Sequence, residues 1–159
     1  MPEYTPQLAN NFVDMLRETD QHLQKRGTSI SEKQATISVD GAWSLHELLS
    51  HIRACQDVWA CTIYQMLASE NPSMPKIHPD SWQAMMCYHS QPFQQSLSAF
   101  HHTRLDLLNV LQDLDDAEWQ CTGIADGRPI TVFGQVRRMA LHEKNSHWEQ
   151  IVALTEIPD

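Results

Sequence analysis

Glu143 and His147 lie four residues apart in the stretch Thr131–Leu154, TVFGQVRRMALHEKNSHWEQIVAL. At about 100° per residue, the helical face that holds them also carries Val132, Phe133, Val136, Ala140, Ile151 and Leu154. A carboxylate and an imidazole on an apolar stripe are costly to bury unless a partner or an ion takes them up. Side chains at this spacing have Cβ atoms about 6 Å apart and can converge on one ion, with a third group from a facing helix closing the set. His51 is the candidate for that third position. It sits about a quarter turn from the centre of its own apolar face, beside Leu48, Cys55 and Thr62, where a side chain looks into a groove between helices. Two imidazoles and one carboxylate, with positions left open, suit Fe(II), Zn(II) or Ni(II). An ion held this way lowers the pKa of its water toward ~7 and polarises a carbonyl, which serves hydrolysis or the activation of a thiol.

Two other residues compete for roles. Arg104 lies in the middle of another apolar stripe, and a buried ion pair between Arg104 and Glu143 would account for both without a metal. With a metal present, Arg104 becomes the catalytic candidate, orienting an anionic substrate group or the Glu143 carboxylate. His142 points away from Glu143 and His147 on a regular helix and reads as flank, whereas a π-bulge would bring His142 and His147 into register. The adjacent His101 and His102 read as flank and solvent.

Positioning these groups requires four long helices. Leu8, Phe12, Met15, Leu16, Thr19 and Leu23 recur at helical spacing in helix one, Leu8–Lys25, with Gly27 as its stop. A turn follows at Asp40-Gly41. Helix two opens with Ser44 as N-cap and Glu47 three residues on, a capping-box pattern, and runs to about Ser69. Pro72, Pro75 and Pro79 make Asn71–Ser90 a long connection with a short helix around Trp82–Tyr88, which lets the helices on either side lie parallel. Helix three runs from Pro92 to Leu114 and buries Phe93, Leu97, Phe100, Leu107, Leu108 and Leu111. Asp126-Gly127-Arg128-Pro129 is a turn within a small hairpin, and Thr131 caps helix four. The expected fold class is all-α, a four-helix bundle with a long connection between helices two and three, in one domain over residues 1–159.

A formal net charge of -9, from 11 basic against 20 acidic residues, repels phosphate backbones and anionic lipid surfaces. Nucleic acid and membranes are therefore not expected partners, and a small-molecule substrate is. No stretch approaches the ~20 apolar residues of a membrane span, and no apolar leader follows a basic start. Cys55, Cys61, Cys87 and Cys121 form no CxxC pair and read as free thiols, so the expected location is cytoplasmic. Leu141, Trp148 and Val152 lie roughly opposite the core stripe of helix four. A bulky row there calls for a covering surface, either a second copy in a homodimer or the chain's own hairpin or N-terminal segment.

Trp43-Ser44-Leu45-His46-Glu47-Leu48-Leu49-Ser50-His51 resembles the start of helix two in the DinB/YfiT-like family. The Arg104–Leu114 run with Trp119, and the closing His142-Glu143 and His147-Trp148-Glu149-Gln150-Ile151, are similar to its third and fourth helices. The resemblance implies a four-helix bundle, a divalent metal (nickel or zinc most often) held by three histidines, and frequent dimers. It also implies metal-dependent hydrolysis or, alternatively, thiol-dependent transfer or isomerisation. On the resemblance, His51 matches the first ligand and His147 the last. The family's middle histidine stands four residues before the last, where this chain has Glu143, with His142 one residue early. Either a carboxylate has replaced an imidazole, a helix irregularity restores His142, or the site has decayed and left a non-enzymatic binding bundle. Periodicity favours the first outcome, so the expected ligands are His51, Glu143 and His147.

Overall fold

The computed structural model describes residues 3–38 and 41–156. Helix α1, Pro6–Gly27, starts where the Thr5 hydroxyl accepts from the Leu8 amide and Pro6 fixes the first turn, and it ends with Lys25 and Arg26 against its negative pole. Helix α3, Leu45–Ala68, carries the capping box: the Ser44 hydroxyl accepts from the Glu47 amide while the Glu47 carboxylate accepts from the Ser44 amide at 2.8 Å. Helix α5, Phe93–Gln112, has Pro92 at its N-cap, which offers no side-chain acceptor. The short helix α2, Glu32–Ala35, supplies one, since the Glu32 carboxylate accepts from the amides of Phe93 and Gln94 at 2.6 and 3.1 Å. Of the expected turn at Asp40-Gly41, Asp40 lies outside the described residues and Gly41 has φ of +74°.

The connection after α3 contains the strand β1, Ser73–Met74, the helix α4, Pro79–Met85, and a 3₁₀ turn, Tyr88–Ser90. After the one-turn helix α6, Asp116–Trp119, the strands β2, Thr122–Ala125, and β3, Arg128–Thr131, form an antiparallel hairpin. Asp126 and Gly127 at its tip both have positive φ, +52° and +70°, as a type I′ turn demands. Strand β1 joins the other edge of β2 in parallel, so the expected hairpin is extended to a three-stranded patch of sheet by a strand that hydrophobic periodicity did not mark. The last long segment is α7, Val132–His142, a π turn over Glu143–His147, and α8, Trp148–Thr155. Thr131 caps α7 by accepting from the Gly134 amide at 2.9 Å.

Helices α1 and α3 each pack against both α5 and α7. Arg53 meets Ser96 and, farther along, Gln56 meets Thr103, so α3 and α5 run parallel, as the long connection between them permits. Likewise Phe12 meets Phe133, Glu18 meets Lys144 and His22 meets Thr155, which makes α1 parallel to the final segment. Two apolar clusters fill the bundle, one around Leu16, Ile63, Leu107 and Val136 and the other around Leu23, Leu48, Phe100 and Ile151. Between them lies a polar layer. Trp148 on the outer face of the final segment is half-buried within the chain, against the His22 ring at 5.2 Å and under the Lys144 ammonium at 3.7 Å. Among the described residues, no helix is long and apolar enough to cross a membrane.

Candidate metal centre

The π turn decides which side chains meet. On an uninterrupted α-helix, residues five apart diverge by about 140°. The wider i→i+5 turn accommodates one more residue, so His142 and His147 stack on the same side instead. Their Nε2 atoms are 3.3 Å apart. His51 faces them from α3, its ring centroid 5.4 Å from that of His142 and 5.1 Å from that of His147. One ligand nitrogen from each of the three histidines lies within 4.8 Å of the other two.

The same extra residue carries Glu143 out of the set, which corrects the expected ligand group of His51, Glu143 and His147. Glu143 is 4 % exposed, and its two oxygens accept from the guanidinium of Arg104, Oε2 from Nη1 at 3.1 Å and Oε1 from Nη2. Arg104 is fully buried; it also donates from Nη1 to the Leu16 carbonyl at 3.0 Å and from Nε to Gln56 Oε1. A carboxylate held bidentately in this way already has its counter-charge and is not released to bind an ion. Glu143 and His147 are both buried, as their place on the apolar face predicts, but they do not share one target. Arg104, expected as a residue that orients a substrate anion or Glu143, occupies the second of those positions.

The surroundings of two of the rings, His142 and His51, favour the neutral imidazole. Burial, then the neighbouring His147 and His51 and the charge of Arg138, push His142 down to about 4. Burial and His147 also lower His51, against the opposing pull of Asp80. A neutral ring keeps one nitrogen lone pair for a cation, as Zn(II), Ni(II) and Fe(II) sites require. For His147 the ring orientation is set: Nδ1 lies 2.9 Å from Gln150 Oε1, and as an amide oxygen can only accept, Nδ1 donates there and Nε2 is turned toward the cluster. His51 Nδ1 lies 3.6 Å from the Asp80 carboxylate, beyond hydrogen-bond reach, so the contact is one of charge. Among the described residues, the buried Nδ1 atoms of His51 and His142 have no hydrogen-bond partner. Cys55, one turn after His51, has Sγ 3.6 Å from His51 Nε2. Its thiol is pushed up to about 12, chiefly by burial, and so remains a thiol. The donor set therefore fits a borderline divalent cation.

Two indole rings enclose the cluster. Trp43 lies nearly parallel to His147, with centroids 6.1 Å apart and 17° between planes, and touches His51 at 5.0 Å. Trp59 meets His142 edge to face at 5.0 Å. Trp43, Gln150 and His142 were all visible as parts of motifs, and the i, i+3 spacing of His147 and Gln150 was the available signal for a hydrogen-bonded pair. Asp80 and Trp59 carried no such signal. Outside the cluster, His101 is not a free flank: Nδ1 pairs with the buried Asp20 carboxylate at 2.9 Å, tying α5 to α1.

Residues 15–151 match the model of the DinB superfamily. Among solved structures, YfiT from Bacillus subtilis, described as "a probable metal-dependent hydrolase with an unusual four-helix bundle topology", is similar in fold. Its TM-score is 0.80 over 98% of this chain and 90% of that one, at 14% sequence identity. No curated protein matches the sequence.

Proposed function

The chain belongs to the DinB superfamily, and from that premise we propose that it is a metal-dependent enzyme of hydrolytic type, acting on a small molecule, with a divalent ion held by His51, His142 and His147. The observation that carries this reading is the convergence of three imidazoles from two helices, achieved only through the π turn. Bound there, a zinc, nickel or iron ion supplies Lewis acidity, activating a water near neutral pH and polarising a carbonyl or phosphoryl oxygen.

The chain's own groups do the rest. Gln150 fixes His147 with its Nε2 toward the cluster, and Asp80 biases His51 from the side of α4. Trp43 and Trp59 pack against the rings from two sides. Glu143 holds the turn through Arg104 and takes no part in ligation.

Elemental analysis of the purified protein, beside His142→Ala and Glu143→Gln variants, tests the proposal. Near-stoichiometric nickel, zinc or iron is expected in the unaltered protein and in the folded Glu143→Gln variant, with loss in His142→Ala. Metal that persists in His142→Ala and disappears from a folded Glu143→Gln protein would overturn the three-histidine site.

A further inference from the structure

A cavity of about 590 Å³ lies between α3, the β1–α4 connection, the hairpin and α7. None of the three histidines lines it, yet it abuts their cluster. Trp59 forms part of its wall and packs its ring against His142. Pro79, also in the wall, precedes the Asp80 that touches His51. A second cavity, about 510 Å³ beside Tyr4, Trp119, Phe133 and Arg137, is lined neither by the three histidines nor by the two tryptophans that pack on them.

The chemistry of the first cavity is cationic. Arg138 and Arg128 line it, and neither forms an ion pair with a carboxylate among the described residues. The acid of the wall, Asp126, is already matched by Lys76 at 3.2 Å. Arg138 lies over the Trp59 ring at 4.8 Å, so its guanidinium is held against one wall of the cavity. In a chain with a formal net charge of -9, two arginines left without counter-ions in one cavity are an exception to the overall field. Gln135 adds an independent sign. It is 4 % exposed, lines the same cavity, and its Nε2 has no hydrogen-bond partner among the described residues. A buried amide donor without an acceptor is costly, and an oxygen placed in the cavity would satisfy it. Gln135, Arg138 and His142 are spaced three and four apart on α7, so donor, cation and imidazole lie along one face of one helix.

We propose that this cavity is the substrate pocket of the metal centre and that it selects molecules carrying an anionic group, a carboxylate or a phosphate, which Arg138 and Arg128 hold by charge and Gln135 by a donated hydrogen bond. The proposal rests on the metal-centre reading for what happens to the substrate, but not for its binding. The anionic end lies against α7 and the body extends past Trp59 toward the three histidines.

The test is a titration of zinc-loaded protein with inorganic phosphate and, separately, with succinate, at constant ionic strength, following the indole N–H resonance of Trp59 assigned through a Trp59→Phe variant. At millimolar anion the resonance is expected to shift and saturate. Arg138→Gln, a change at an exposed position, should weaken the response at least tenfold with metal content unchanged, and Gln135→Leu should weaken it several-fold. The stronger of the two arms identifies the group the pocket prefers. An unresponsive Trp59 with both anions overturns the pocket, and so does equal affinity in Arg138→Gln, which places the anion on the ion or elsewhere. If the protein holds no metal, the same titration on metal-free protein still reads the pocket, so the two readings fail separately.

Discussion

His142 and Glu143 are neighbours in the chain and belong to two polar regions that treat burial in opposite ways. Glu143 enters a layer in which Arg104 donates to it, to Gln56 and to the Leu16 carbonyl, while Gln56 donates onward to the Phe100 carbonyl at 3.1 Å. Charge there is offset inside the chain, and the layer joins all four long helical segments at one level. His142 enters a cluster of three rings with one carboxylate at its edge, Asp80 at 3.6 Å from His51 Nδ1, and among the described residues the buried Nδ1 atoms of His51 and His142 have no hydrogen-bond partner. The layer is complete as folded; the cluster asks for an atom from outside. One residue's difference in position, made by the π turn, separates a structural ion pair from a ligand set.

Breaking the layer should produce the largest effect. Arg104→Ala leaves the Glu143 carboxylate buried without its counter-charge, for an expected loss of about 3–5 kcal/mol in urea unfolding. The double change Arg104→Met with Glu143→Leu removes both charges and should recover much of that loss. Its metal affinity should nonetheless fall, because the turn has lost the anchor that splits residue 142 from residue 143. A double variant that binds metal as tightly as the unaltered protein would show that the layer has no part in forming the cluster. Breaking the support of the cluster comes next. Gln150→Leu frees the His147 ring while keeping the volume, and a change of this kind weakens metal affinity by roughly 10–100-fold. Unfolding by urea without metal should be little altered, so a competition titration against a chelator, with stability as the control, separates ring orientation from folding.

Most of the scaffold was legible because it follows rules of short range. Ser44 with Glu47, Thr131 before Val132, and Asp126-Gly127 at the hairpin tip each act through their own few bonds, and each appears where its residue types place it. The prolines of the connection likewise forbade a single helix. Burial of Arg104, Glu143 and His147 followed from the 100° period. What that period could not convey was its own interruption, since a π turn depends on tertiary partners: Arg104 on α5 draws Glu143 one way while His51 and Trp59 on α3 face His142 on the other. The Arg104–Glu143 ion pair and the three-histidine cluster stand side by side in one structure. The ion pair excludes only Glu143 from ligation, and by taking that carboxylate it leaves the adjacent histidine to the cluster. The hairpin was expected, but the strand beside it escaped notice for a related reason: β1 is two residues long and acquires its identity only by pairing with β2.

The smallest expected effect lies at the N-terminus of α3, the helix that serves both regions, with His51 one turn from Glu47 and Gln56 farther along. The Glu47 carboxylate is held below its usual range by hydrogen bonds from the Ser44 amide and hydroxyl. A carboxyl group with a depressed folded pKa stabilises the fold fully above its unfolded value of 4.5, and that contribution is lost as pH falls from there through the folded value. Because Glu47 is exposed and screened by water, the contribution should be under ~1 kcal/mol. Glu47→Gln should therefore be slightly less stable than the unaltered protein at neutral pH, with the gap closing as pH drops below 4.5. Hydrogen exchange locates the consequence: the amides of the first turn of α3, on the side of His51, should lose protection in acid before those around Gln56. Equal loss along the helix would mean that the capping box supports the cluster no more than it supports the layer.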